Sequence, residues 1–212
     1  KGLQRVGMKY FDAHTHINFV AYNDDREEVL ARAKGVGVGM NIVGTQLDTS
    51  KFAVELAEKH EQVYATIGLH PIHTTKSYHD KQELGEGGKE FTSRGEVFDR
   101  EAYKTLGASK KVIAIGECGL DYYRVEESTK DVQTKIFIEH IELANTLKKP
   151  LMLHIRNPLR QSGSEASPKI IITFHNFIKF VHINFKNFIS IVLFNYNEMI
   201  FYYIREAFFN LI

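Results

Sequence analysis

The sequence predicts an α/β fold, a partial (β/α) barrel of the TIM type, on three observations. Short apolar runs alternate with helical patterns, as parallel strands joined by right-handed crossovers require. Histidines and one glutamate fall at the ends of successive apolar runs, and in such a barrel the carboxyl ends of the strands share one face. The stretch after the first run is His14-Thr15-His16, where a doubly wound open sheet, the architectural rival, would carry a Gly-rich turn. The pattern supplies about five of the eight strands that close a barrel.

With 212 residues the chain is long enough for one sizeable core, or a domain with an appendage, at about 150 residues per domain. Its 27 Lys and Arg nearly balance its 26 Asp and Glu, so no overall basic field points to nucleic acid and an anionic partner needs a local site. Composition alone neither supports nor excludes nucleic acid. The lone Cys118 cannot form an internal disulfide, and Lys1-Gly2-Leu3-Gln4-Arg5 has no apolar core for a signal peptide. No run reaches the roughly 18 uninterrupted apolar residues of a membrane span, the C-terminal tail coming closest. A cytoplasmic chain without a membrane partner is expected.

The first strand is expected over residues 8 to 13, so that Asp12, His14 and His16 leave its end on one side. Asn23-Asp24-Asp25 offers a cap for a helix bearing Val29, Leu30 and Ala33, which Gly35 and Gly37 stop. Met40 to Gly44 reads as a buried strand, and Asp48-Thr49-Ser50 as the cap of a helix bearing Phe52, Ala53, Leu56 and Ala57. Val63 to Gly68 is a third strand, which Pro71 discourages from continuing. Residues 73 to 97 read as a polar, Gly-bearing loop. A helix restarts over Asp99 to Leu106, with Tyr103 and Leu106 on one side. Lys111 to Glu117 is the clearest buried strand and ends on an acid. Ser128 to Asp131 fits a capping box, followed by a stripe of Val132, Ile136, His140, Leu143 and Leu147. Leu151 to His154, after Pro150, is a fifth strand.

The strand ends therefore collect His14 and His16, then His70, Glu117, and His154 with Arg156. A carboxylate can bridge two cations, and flanking imidazoles complete a nitrogen and oxygen shell suited to Zn²⁺, Mn²⁺ or Fe²⁺, less to Ca²⁺. Each residue has a plainer reading. Glu117 could cap a turn, His154 could be a satisfied core histidine, and Arg156 could be a solvated charge. Their joint recurrence at strand ends favours a metal pair, with Asp12 orienting a ligand.

Phe11-Asp12-Ala13-His14-Thr15-His16, Gly68-Leu69-His70-Pro71, Gly116-Glu117-Cys118-Gly119-Leu120-Asp121-Tyr122-Tyr123 and His154-Ile155-Arg156 resemble, in order and spacing, the TatD-type metal-dependent deoxyribonucleases of the amidohydrolase-like barrel hydrolases. The resemblance implies two divalent cations (Zn, Mn or Mg), with His14 and His16 on one, Glu117 bridging both and His154 on the second. It implies substrate phosphate contacts from His70 and Arg156. The implied reaction is hydrolysis of DNA phosphodiesters by a water that the metals activate, as in a 3'-5' exonuclease, with Glu117 as the central catalytic carboxylate.

The resemblance runs from about residue 8 to 168. Beyond it the family supplies another metal-binding histidine and an aspartate, whereas no Asp follows Asp131. His175 and His182 are candidates for the histidine. The division expected is a TatD-like barrel portion at 1–169 and an atypical Phe-, Ile- and Asn-rich tail at 170–212. The tail has three readings: a frame-shifted or read-through end on a truncated gene, a genuine apolar extension covering an open barrel edge, or a membrane-associated segment. Two further functions stay open. One is a His-x-His barrel hydrolase of small phosphoesters or amides, and the other is a non-catalytic fragment. The sequence leaves oligomeric state open.

Overall fold

The computed structural model describes residues 7–76, 78–79, 91–122, 127–156, 189–192 and 202–203. Five parallel strands form its centre: β1 (Tyr10–Thr15), β2 (Val38–Val43), β3 (Val63–Ile67), β6 (Val112–Asp121) and β7 (Leu151–Arg156), adjacent in that order. Between β3 and β6 lies a small antiparallel pair, β4 (Tyr78–His79) with β5 (Phe91–Thr92). The helices α1 (Arg26–Gly35), α2 (Leu47–Lys59), α3 (Arg100–Gly107) and α4 (Glu127–Leu147) fall between strands, as an α/β half-barrel requires. Two further strands, β8 (Ile189–Val192) antiparallel to β7 and β9 (Tyr202–Tyr203) antiparallel to β8, end the parallel order. His175, His182 and most of the 170–212 tail lie outside the described residues.

Several boundaries differ from those read in the sequence. β1 runs two residues later, because Lys9 and Tyr10 donate their N–H groups to Gly37 O and pairing with β2 begins there. His14 thus lies inside the strand and His16 just beyond it. β6 does not stop at Glu117 but pairs with β7 to Asp121. α2 begins at Leu47, since Thr49 Oγ1 accepts the Gln46 N–H at 2.9 Å, so the proposed cap residues sit in its first turn. The 73–97 stretch is not wholly loop, since it contributes both strands of the β4–β5 pair. Ser128 lies inside α4, and Val132 is 38% exposed while Gln133 is buried.

The core lies between the sheet and its helices. Ile42, Ile67 and Ile115 from the strands meet Ala53, Leu56 and Ala57 of α2, Tyr103 of α3 and Leu143 of α4, all buried. Burying each large apolar side chain contributes roughly 1.5–3 kcal/mol. Asp99 Oδ1 caps α3 by accepting the Ala102 N–H at 3.0 Å. Polar ties aim the strand ends. Ser50 Oγ of α2 accepts the Gly68 N–H at 3.2 Å, and His140 of α4 accepts the Leu69 N–H through Nε2 at 3.0 Å. Both fix the exit of β3, where His70 follows. Among the described residues no helix is long and apolar enough to cross a membrane.

Candidate metal centre

His14 and His16 lie 3.1 Å apart, Nε2 to Nε2. The second ring's protonation follows from its neighbours. His16 Nδ1 sits 3.0 Å from the Val43 carbonyl, which can only accept, so Nδ1 carries the proton and neutral His16 offers a bare Nε2. Burial and the neighbouring His14 charge hold His16 below its ordinary pKa, keeping it neutral. Phe19 stacks on its other side at 4.6 Å and fixes the ring plane. Asp12 is exposed, and its Oδ1 accepts the backbone N–H of His14 at 3.1 Å. It orients the strand end through the main chain, not through an imidazole as expected.

Glu117 is reached through an irregularity in β6. The register with β7 slips between Ile115 and Cys118, the kind of bulge that re-aims a side chain beside a site. Gly116 and Gly119 have φ of +144° and +142°, and a Cβ at either would strike the β7 backbone, at Met152 O and His154 O. Only glycine allows this close approach. The result is a carboxylate 5% exposed with one oxygen for each side of the site. Oε2 is 3.3 Å from His14 Nε2 and Oε1 is 3.1 Å from His154 Nδ1. Burial opposes the charged carboxylate, but hydrogen bonds from His14 and His154 hold it well below the usual range. Burial likewise opposes a charged His14, and Glu117 outweighs it, raising that imidazole.

His154 projects from β7 between two carboxylates, with Nε2 2.9 Å from Asp121 Oδ2 and Nδ1 facing Glu117. Burial works against its charged form, yet the hydrogen bonds it donates to Asp121 and Glu117 raise it to about 9. The His70 ring packs edge-on against it, centroids 4.1 Å apart. His70 Nδ1 accepts the Ile72 N–H at 3.3 Å, so the neutral ring carries its proton on Nε2. Burial, then the His154 charge, push His70 well below its ordinary pKa. Arg156 reaches to 3.9 Å from Asp121 Oδ2.

The structure thus brings His14, His16, His70, Glu117, His154 and Arg156 to one carboxyl edge. Among the described residues two candidate ligand sets share Glu117: His14, His16 and Glu117, and His70, Glu117 and His154, each with ligand atoms within 4.8 Å of one another. Two nitrogens at 3.1 Å beside a buried carboxylate fit a divalent cation, and imidazole with carboxylate is a donor set such cations accept. Sequence reasoning gave no role to Asp121 or Gln133 and took His140 only as a helix-stripe residue. An acid four residues beyond Glu117 in an apolar run was the available signal for Asp121.

The model of the family described as TatD related DNase matches residues 11–183, beyond residue 168 where the motif-by-motif resemblance stops. The chain is 34% identical over 172 residues to the uncharacterized metal-dependent hydrolase YabD of Bacillus subtilis, covering 77% of this chain and 60% of that protein. It is 33% identical over 148 residues to the 3'-5' ssDNA/RNA exonuclease TatD of Shigella flexneri, covering 69% and 50%. The crystal structure of the Escherichia coli TatD homolog YjjV superposes with a TM-score of 0.53 at 26% identity, over 69% of this chain and 51% of that one. The chain spans between half and two thirds of the length of these relatives. By the family model that matches most of its length, the chain belongs to the TatD-related DNase family of metal-dependent hydrolases.

Proposed function

We propose that the chain is a metal-dependent phosphodiesterase acting on DNA, of the 3'-5' exonuclease type. One observation carries this: Glu117 presents one oxygen to His14 and the other to His154, at 3.3 Å and 3.1 Å, the placement of a carboxylate shared by two cations. In this reading His14 and His16 hold one cation, His154 the other, and Glu117 both. Cations held there would supply Lewis-acid polarisation of a phosphate and activation of water. The protein's own groups do the rest. His70, kept neutral with its proton on Nε2, donates to a phosphate oxygen, and the Arg156 guanidinium matches a second through paired N–H groups. The exonuclease name of the Shigella relative supports nucleic acid over smaller esters. Residues 1–169 carry every group invoked, and 170–212 are proposed as an apolar tail that supplies none.

The test is cleavage of 5'-labelled single-stranded DNA with Mg²⁺, Mn²⁺ or Zn²⁺, beside the Glu117→Ala variant. Shortening from the 3' end that needs metal and disappears in the variant is expected. Metal-independent cleavage, or equal cleavage by Glu117→Ala, would overturn the proposal. Hydrolysis of bis(p-nitrophenyl) phosphate with DNA left intact would instead move the substrate to small phosphoesters.

A further inference from the structure

Asp121 lies in the β6 extension that sequence reasoning missed, and it is 1% exposed. Its Oδ2 stands 2.9 Å from His154 Nε2. Its main chain is clamped from α4 by a single side chain: Gln133, also 1% exposed, accepts the Asp121 N–H through Oε1 at 2.8 Å and donates from Nε2 to Asp121 O at 2.9 Å. Asp121 belongs to neither candidate ligand set. The three buried groups form a line from helix to strand to imidazole, ending where His154 Nδ1 faces Glu117 Oε1 at 3.1 Å.

We infer that Asp121, seated by Gln133, is a positioning residue that keeps the His154 proton on Nε2 and so directs the Nδ1 lone pair to the cation beside Glu117. This rests on the proposal that His154 is a ligand. The physical reason is the asymmetry of the two ring nitrogens. Both ring nitrogens face carboxylates, which can only accept, so without a cation each carries a proton; a cation beside Glu117 would take the place of the Nδ1 proton, and the ring, now neutral, would keep its remaining proton on Nε2 against Asp121. Without Asp121 the ring could take either tautomer and turn, and part of its population would present N–H where a ligand is needed. Such outer partners of a ligating histidine typically contribute 10- to 100-fold in metal affinity. Gln133 explains why the carboxylate stays in place, since its paired bonds fix Asp121 without using the side chain.

The experiment is calorimetric titration with Zn²⁺ of the parent, Asp121→Asn and His154→Ala, together with ¹H–¹⁵N correlation of the imidazole rings in the Zn²⁺-loaded parent. Asparagine keeps the shape but can turn its amide N–H toward Nε2 and enforce the wrong tautomer. Asp121→Asn should weaken binding at the His154 site by 10- to 100-fold, with the His14 and His16 site unchanged. The His154 signals, identified by their absence in His154→Ala, should show the proton on Nε2. A proton on Nδ1, or parent affinity in Asp121→Asn while His154→Ala binds weakly, would overturn the inference alone. Unchanged binding in His154→Ala would overturn the ligand assignment, and the inference with it. The parent's ring spectrum answers even if Asp121→Asn fails to fold.

Discussion

A single buried side chain shows how the site's frame responds to acid. His140 is wholly buried, with Nδ1 donating to Ile136 O and Nε2 accepting from Leu69 N, and burial lowers it to about 4. The folded chain keeps it neutral, while the unfolded chain takes up a proton near pH 6.5. Between those values the unfolded state binds more protons, so this contribution is complete above about 6.5 and is lost as the pH falls toward 4. The gap corresponds to roughly 3 kcal/mol. Urea unfolding at pH 7 and 4.5 should show a smaller acid loss in His140→Gln than in the parent, and equal losses would contradict this. The ligand-type residues were legible because each ended an apolar run. The role of His140 was not, since its partner Leu69 is 71 positions away and a stripe on a helix does not reveal what its polar member meets.

At the scale of elements, the strand–helix alternation was legible because buried parallel strands are short apolar runs and each helix carries its own cap or stop. What the sequence hid was the irregularity in β6. It depends on how closely β6 approaches β7, a tertiary fact, and so both the strand's true end and Asp121 were missed. The two positive-φ glycines make this testable. Gly119→Ala places a methyl against His154 O in a conformation that alanine resists. It should destabilise the fold by more than about 1 kcal/mol and weaken metal binding, because it shifts the strand carrying Glu117 against the one carrying His154. Urea unfolding checks the first effect and Zn²⁺ titration the second, and a variant equal to the parent in both would remove the proposed role of the bulge. The packing of α4 offers a contrast. Leu143→Ala empties a fully buried position and should cost about 2–5 kcal/mol while leaving the number of metals bound unchanged, as measured by metal analysis of the folded variant.

Across the whole molecule, five parallel strands are enough to bring the histidines of β1 and its exit together with Glu117 and His154, which lie more than a hundred residues further along the chain. The two sides of the site are not equivalent. One pairs two imidazoles 3.1 Å apart, while the other pairs His154 with a His70 ring whose Nδ1 is engaged by Ile72. His154→Ala should therefore remove less bound metal than loss of both His14 and His16. Two equally tight metals per chain would contradict that inequality. If the half-barrel assembles a divalent-metal centre on Glu117, its metal content depends on His14 and His16. After loading with Zn²⁺ and exhaustive dialysis, elemental analysis should find metal retained by the parent and largely lost from the His14→Ala, His16→Ala double variant. Equal metal in the two proteins would contradict the account.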